Sequence, residues 1–169
     1  MLYIYAGNGK GKTTAAFGLA LRFAGSGQKA LVIQFLKNSD SSEITAVREV
    51  GGIDIFNSET SHGFYHTLSD EKKALLATEI DIEVAAATKA AISGSHGLLV
   101  LDEAIDAINL GLIDEKRILE LVMGTGIEIV LTGRNPSEAL IGAADYYTEF
   151  ICKKHPYEKG VLARLGIEF

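Results

Sequence analysis

Between Tyr5 and Thr14 the chain reads Ala6-Gly7-Asn8-Gly9-Lys10-Gly11-Lys12-Thr13, and a run of this kind leaves few folds open. Glycine at every second position from 7 to 11 neither continues a strand nor starts a helix cheaply. The apolar segment before it and the alanine-rich segment after it must therefore be joined by a tight backbone curl. Small residues let backbone N–H groups wrap around an anion, Lys12 adds a mobile positive charge, and the Thr13 hydroxyl can ligate Mg²⁺. The run is a phosphate-binding loop at 6–13, with alanine in place of its usual first glycine. A methyl group is tolerable there if the position needs no positive φ. Such a loop belongs between a strand and a helix, and Leu2–Ala6 and Thr13–Gly25 read as those two elements. The loop, from Gly7 through Thr14, is thus expected to bind a nucleoside triphosphate with Mg²⁺, ATP being the expected substrate.

The rest of the chain repeats the same alternation. Ala30–Phe35, Ile53–Phe56, Leu98–Leu101, Glu128–Thr132 and Tyr146–Lys153 read as further strands. The central ones are almost wholly apolar, as strands covered on both faces should be. Ser42–Val50, Ser69–Ser93, Asp114–Met123 and Pro136–Ala143 read as helices. Ser69 before Asp70 and Glu71 suits a helix start, and Asn135-Pro136 with Glu138 reads as a capping box. Alternating β and α units imply an α/β fold, a mostly parallel sheet with helices on both faces. With 169 residues, 47 % of them apolar, the chain fits one domain spanning 1–169. The net charge is −6 and no Lys/Arg-rich run occurs, which argues against a nucleic-acid partner. A single cysteine, Cys152, cannot form an internal disulfide or a cysteine zinc site and suits a reducing cytoplasm. No signal peptide or membrane-length apolar run is legible.

A second acidic feature follows. Leu98-Leu99-Val100-Leu101-Asp102-Glu103 ends an apolar strand on two carboxylates, where open α/β sheets bind ligands and where phosphate-loop proteins hold a metal. The plainer reading is a pair of acids capping the next helix. Thr132-Gly133-Arg134 ends the following strand in the same way, and an arginine there could fork onto phosphate oxygens or be an ordinary loop arginine. The polar stretch Asn57–Leu68 is a long loop containing His62, Phe64, Tyr65 and His66. Its residues alone favour loop anchoring over a site, and Lys153-Lys154-His155 reads as a solvated strand end.

Taken together these residues resemble the P-loop class of ATP:corrinoid adenosyltransferases, also called cob(I)alamin or cob(I)yrinic acid a,c-diamide adenosyltransferases. The resemblance runs nearly end to end. It comprises Gly7 through Gly18, Arg22, Val32 through Lys37, Gly63-Phe64, Val100 through Glu103 and Thr132-Gly133-Arg134. Its most specific part is the ending: Lys154-His155, Tyr157, Gly160-Val161, Ala163 and Gly166-Ile167-Glu168-Phe169. The resemblance implies a RecA-like P-loop fold, usually a homodimer, that transfers the 5′-deoxyadenosyl group of ATP to cobalt(I) and releases triphosphate. It implies an ATP reversed in the loop so that the ribose C5′ is exposed, and an electron-donating reductase as partner. The cobalt is then the nucleophile, and the protein's tasks are alignment and stabilisation of the leaving group. Lys12 and Arg134 fit the second task. By the same resemblance Thr13 and Glu103 hold the metal with Asp102 close by, Asn8 and Arg22 lie near the nucleoside, and Phe64 and His66 face the corrinoid.

The chain departs from that pattern in two places. Family members often carry an N-terminal extension that helps cover the site, and none precedes Met1 here. They commonly have tryptophan where this chain has His66, which could fill the same space or ligate cobalt. Three other readings compete: a hydrolytic or regulatory P-loop ATPase with Glu103 polarising a water, a nucleoside kinase, and a non-catalytic protein that binds ATP for stability. Thymidine kinases share an acidic motif like Asp102-Glu103-Ala104 but usually carry a cysteine zinc ribbon, which this chain cannot form.

Overall fold

The computed structural model describes residues 1–36, 42–56 and 65–167. Six strands form one sheet: β1 (Leu2–Ala6), β2 (Ala30–Gln34), β3 (Ile53–Phe56), β4 (Leu98–Asp102), β5 (Glu128–Gly133) and β6 (Tyr146–Glu149). Their order across the sheet is β3-β2-β4-β5-β1-β6, and every neighbouring pair is parallel. The helices are α1 (Lys12–Gly25), α2 (Ser42–Arg48), α3 (Asp70–Ser93), α4 (Ala104–Asn109), α5 (Glu115–Gly124) and α6 (Glu138–Ala143). This is the α/β architecture expected from the sequence, a parallel sheet with helices on both faces, with β5 standing between the phosphate-loop strand and the acidic strand.

Period-two alternation sorts the side chains into two layers. On one face Ile4, Ile33, Leu101 and Leu131 pack with Ile80 of α3, Ile105 of α4 and Ile118 of α5. On the other, Val32, Val100 and Val130 pack with Ala16, Phe17 and Ala20 of α1 and Val47 of α2. Burying each large side chain of this kind contributes about 1.5–3 kcal/mol. β2 and β4 are buried along their whole length, which is why they read as unbroken apolar runs.

The ends of elements depart from the sequence reading for identifiable reasons. β6 stops at Glu149 rather than Lys153, because its partner β1 ends at Ala6 and turns into the phosphate loop. The residues that follow pair with that loop instead. α4 is a further helix beyond those read from the sequence, and the plainer reading of Asp102-Glu103 as acids capping it is not met. Its cap position is Glu103, whose side chain makes no capping bond and whose backbone is left-handed (φ 61°). α6 starts two residues late. Asn135 is also left-handed (φ 50°), and the cap is Ser137, which accepts the Leu140 N–H at 3.1 Å. At α3 the expected cap is observed: Ser69 accepts the Lys72 N–H. Among the described residues no helix is long and apolar enough to cross a membrane.

Candidate functional site

Parallel pairing brings the carboxyl ends of β1, β4 and β5 to one edge. Ala6 lies beside Gly133, and Gln34 of β2 lies beside Asp102. The phosphate loop leaves β1 at this edge and α1 begins on Lys12, with Gly11 in the left-handed cap position (φ 108°). Only glycine adopts that geometry without strain.

The loop is held from behind by neighbouring backbone. Gly7 N–H donates to the Gly133 carbonyl at 3.2 Å and Gly9 N–H to the Phe150 carbonyl at 2.7 Å. A Cβ on Gly7 would fall 2.3 Å from the Phe150 oxygen, so glycine here permits contact with the strand end beyond β6. Asn8 Oδ1 accepts the Cys152 N–H at 2.9 Å, which gives this residue a structural bond inside the loop. The Lys10 ammonium donates to the Ile167 carbonyl, tying the chain's last described residue to the loop. Lys12 folds back onto the Gly9 carbonyl at 3.0 Å. Burial, and then the nearby Arg134 charge, lower its pKa below the ordinary lysine value; the carboxylates of Asp106, Glu103 and Asp102 oppose the shift.

Asp102 organises the centre of the site. It is fully buried, yet it accepts from the Thr13 hydroxyl at 3.0 Å, the Gln34 amide at 3.0 Å and the Thr132 hydroxyl at 2.6 Å. A buried carboxylate needs such donors, because an unpaired one would be prohibitively costly. Thr132 in turn accepts the Glu103 N–H at 2.9 Å, which locks the left-handed turn that aims Glu103. The two acids therefore differ. Asp102 fixes hydroxyls and an amide, while Glu103 sits half-buried at the mouth.

Each residue of Thr132-Gly133-Arg134 has a separate task. Thr132 links Asp102 to Glu103. Gly133 (φ 149°) lets α4 press against the strand end: a Cβ there would meet Ile105 Cβ and Asp106 Oδ2 at 2.6 Å each. Arg134 is exposed and near enough to Lys12 for its charge to act there. Sequence reasoning missed Gln34, Asp106 and Asn109. Their only sequence signal was polarity, Gln34 at the end of an apolar strand and Asp106 and Asn109 at helical spacing just after the acidic pair. Burial raises the Asp106 carboxyl pKa, against the pull of the Arg134 charge, a hydrogen bond from the Arg134 backbone and the Lys12 charge.

Two expected site residues sit on elements other than the phosphate loop. Arg22 is exposed in the last turn of α1, roughly 15 Å along the axis from Lys12 at 1.5 Å per residue. It is near enough to Tyr5 to act on that hydroxyl's charge. His66 is exposed in a short 3₁₀ turn, Tyr65–Thr67, edge-on to Tyr65. Phe64, with His62 and Gly63, lies outside the described residues, as do Lys37, Glu168 and Phe169. Thr14 is exposed beside the loop on the first turn of α1.

Comparison with known proteins finds relatives along the whole chain. The model of the family described as ATP:corrinoid adenosyltransferase BtuR/CobO/CobP matches residues 1–169. A corrinoid adenosyltransferase of Pseudomonas aeruginosa is 32 % identical over 171 residues, covering 100 % of this chain and 83 % of that protein. One from Escherichia coli strain K12 is 27 % identical, covering 100 % of this chain and 85 % of its own length. Among solved structures, the KaiC-like protein PH0186 of Pyrococcus horikoshii OT3 is similar with a TM-score of 0.46 at 19 % identity, covering 99 % of this chain and 66 % of that one.

Proposed function

Because the chain belongs to the ATP:corrinoid adenosyltransferase family, we propose that its cleft joins the C5′ of ATP to the cobalt(I) centre of a corrinoid and releases triphosphate. A Co–C5′ bond forms and the C5′–O bond to the triphosphate breaks, both electrons of the new bond coming from cobalt. No protein nucleophile or base is needed. The observation that best supports the reading is the hydrogen-bonded set Thr13–Asp102–Thr132–Glu103 beside the phosphate loop, with Lys12 of that loop close enough to Arg134, beyond β5, to feel its charge. Such a site suits a polyanionic leaving group.

The donor set also fits Mg²⁺. This cation prefers oxygen ligands, takes one or two carboxylates together with substrate phosphates, and keeps several waters. Thr13, Glu103 and Asp102 would supply hard oxygen, and the Thr13 hydroxyl is already bonded to Asp102. The buried Gln34 Oε1, on the side chain that bonds Asp102, has no hydrogen-bond partner among the described residues. It is the kind of acceptor that a hydrated cation satisfies. When bound, the cation would offset charge on the triphosphate. Asp102 would act through the Thr13 hydroxyl it orients, and Glu103 would face the metal more directly. Lys12, Arg134 and the loop amides from Lys10 to Thr14 would neutralise the leaving group. Asn8 would serve the nucleoside side through the turn it braces, and Arg22 would meet the nucleotide only from the far end of α1.

We assign Phe64 and His66 to the corrinoid side by family resemblance. An electron-donating reductase would supply cobalt(I), and the setting would be the cytoplasm. A homodimer fits the exposed apolar side chains Tyr157, Leu162 and Leu165 of the C-terminal tail; light scattering on a sizing column tests it. The enzymatic reading is tested by incubating the protein with ATP, Mg²⁺ and chemically reduced cobalamin. Adenosylated cobalamin and triphosphate are expected in equal amounts; inorganic phosphate without adenosylation would overturn it.

A further inference from the structure

Arg134 is exposed, and an arginine side chain carries about 2 kcal/mol of rotamer freedom. For a cation of this kind to meet a leaving group at a fixed point, its backbone at least must be fixed. The link after β5 has no regular structure of its own until Ser137 caps α6. The fixing comes from α4. Asn109 Nδ2 donates to the Arg134 carbonyl at 2.8 Å and also reaches the Asn135 carbonyl at 3.3 Å. One turn earlier, the Asp106 carboxylate stands at the start of the same link, its Oδ2 2.6 Å from where a Cβ on Gly133 would lie, and the Arg134 backbone N–H and charge both act on it. The two residues are three apart and so lie on one face of the helix. That face can approach because position 133 has no Cβ.

We propose that Asp106 and Asn109 are positioning residues for Arg134: Asn109 holds its carbonyl, the Asp106 carboxylate stands beside the start of the same link, and together they fix where the guanidinium meets the triphosphate. The assignment rests on the adenosyl-transfer reading above. It gives α4 a task beyond covering the sheet, and it explains why a six-residue helix with no capping bond is pressed so closely on β5. The carboxylate of Asp106 also faces Lys12 and Arg134, so its loss removes a negative charge as well as an acceptor. The asparagine substitution separates these, because an amide oxygen still accepts an N–H.

The test is a double-mutant cycle read by single-turnover transfer from ATP to chemically reduced cobalamin. Asp106→Ala and Asn109→Ala should each slow transfer about tenfold, with ATP affinity in calorimetric titration changed by less than about twofold. Asp106→Asn should recover most of the rate. In an Arg134→Ala background neither alanine substitution should slow transfer further. Equal slowing with and without Arg134, or an Asp106→Asn protein as slow as Asp106→Ala, would overturn the assignment. Should Asp106→Ala not fold, Asn109→Ala runs the same cycle from an exposed side chain. An unsubstituted protein that yields phosphate in place of triphosphate would remove the enzymatic reading itself; an active protein with an additive cycle would remove only this inference.

Discussion

At the scale of single residues, the adjacent acids invite opposite expectations. Asp102 is surrounded by three donors, so Asp102→Asn would turn an NH₂ group toward at least one of them. A buried mismatch of that kind costs on the order of 1–3 kcal/mol, visible as a lowered denaturation midpoint. Glu103→Gln keeps shape at a half-buried position, and the fold should survive while Mg²⁺ dependence weakens. A silent Glu103→Gln beside a damaging Asp102→Asn with unchanged stability would reassign the metal to Asp102 alone. Lys12→Ala should cut ATP affinity severely, since it removes the mobile charge at the loop; calorimetry showing unchanged affinity and turnover would refute that role. Asp106 supplies a pH signature. Burial raises its folded pKa above the unfolded carboxylate value near 3.9, so the native state keeps a proton that the unfolded chain has already lost. Stability from this group is therefore present below about pH 4 and is lost as pH rises through the folded pKa. Asp106→Asn lacks that titration. Its denaturation midpoint relative to the parent should rise from about pH 4 upward and then level off; a difference independent of pH would contradict the sign.

At the scale of elements, legibility followed locality. The phosphate loop, the acidic strand end and Ser69 were readable because each signal lies within a few consecutive residues. Gln34, Asp106 and Asn109 were not, because their partners are brought to them by strand order: Gln34 meets Asp102 only across the β2–β4 pairing. β6 read too long because Ile151 and Cys152 look strand-like in isolation, whereas the length of β1 decides where pairing stops. Asn135-Pro136 resembles a helix start, but Asn109 holds the Asn135 carbonyl and the left-handed turn delays the helix. Gly133 shows how one position serves a whole element. Gly133→Ala would drive a methyl into Ile105 and Asp106 at 2.6 Å and force an unfavourable φ. Destabilisation of about 1–3 kcal/mol is expected, with transfer activity falling further than stability because α4 can no longer hold Arg134. A Gly133→Ala protein with parental melting and rate would show that α4 can retreat at no cost.

At the scale of the molecule, the two sets of proposed site residues belong to different strands. Those proposed for the triphosphate follow β1, β4 and β5, whereas those assigned to the corrinoid come after β3 in the chain, and β3 is an edge strand of the sheet. His66 stands just before α3, next to a Tyr65 ring that lies 5.6 Å below the Lys73 ammonium. Substitutions there should therefore spare the nucleotide. Phe64→Ala should leave ATP affinity nearly intact and impair transfer when cobalt(II) is supplied with a reductase. The loss should shrink when cobalt(I) is made chemically, because the step that the family resemblance implies such an aromatic would assist, removal of the lower cobalt ligand before reduction, is then bypassed. His66 separates two roles for an imidazole. As a space-filler it would be replaced without loss by the larger ring of His66→Trp, and the rate would hold or rise. As a ligand it would give cobalt(II) a nitrogen hyperfine signature in the spin-resonance spectrum, absent from the tryptophan protein. We expect the first result, since an exposed imidazole on a short turn is poorly fixed for metal ligation. A hyperfine signature that disappears in His66→Trp would establish ligation instead. Equal loss with both cobalt states after Phe64→Ala, together with weaker ATP binding, would place this edge of the sheet in the service of the nucleotide.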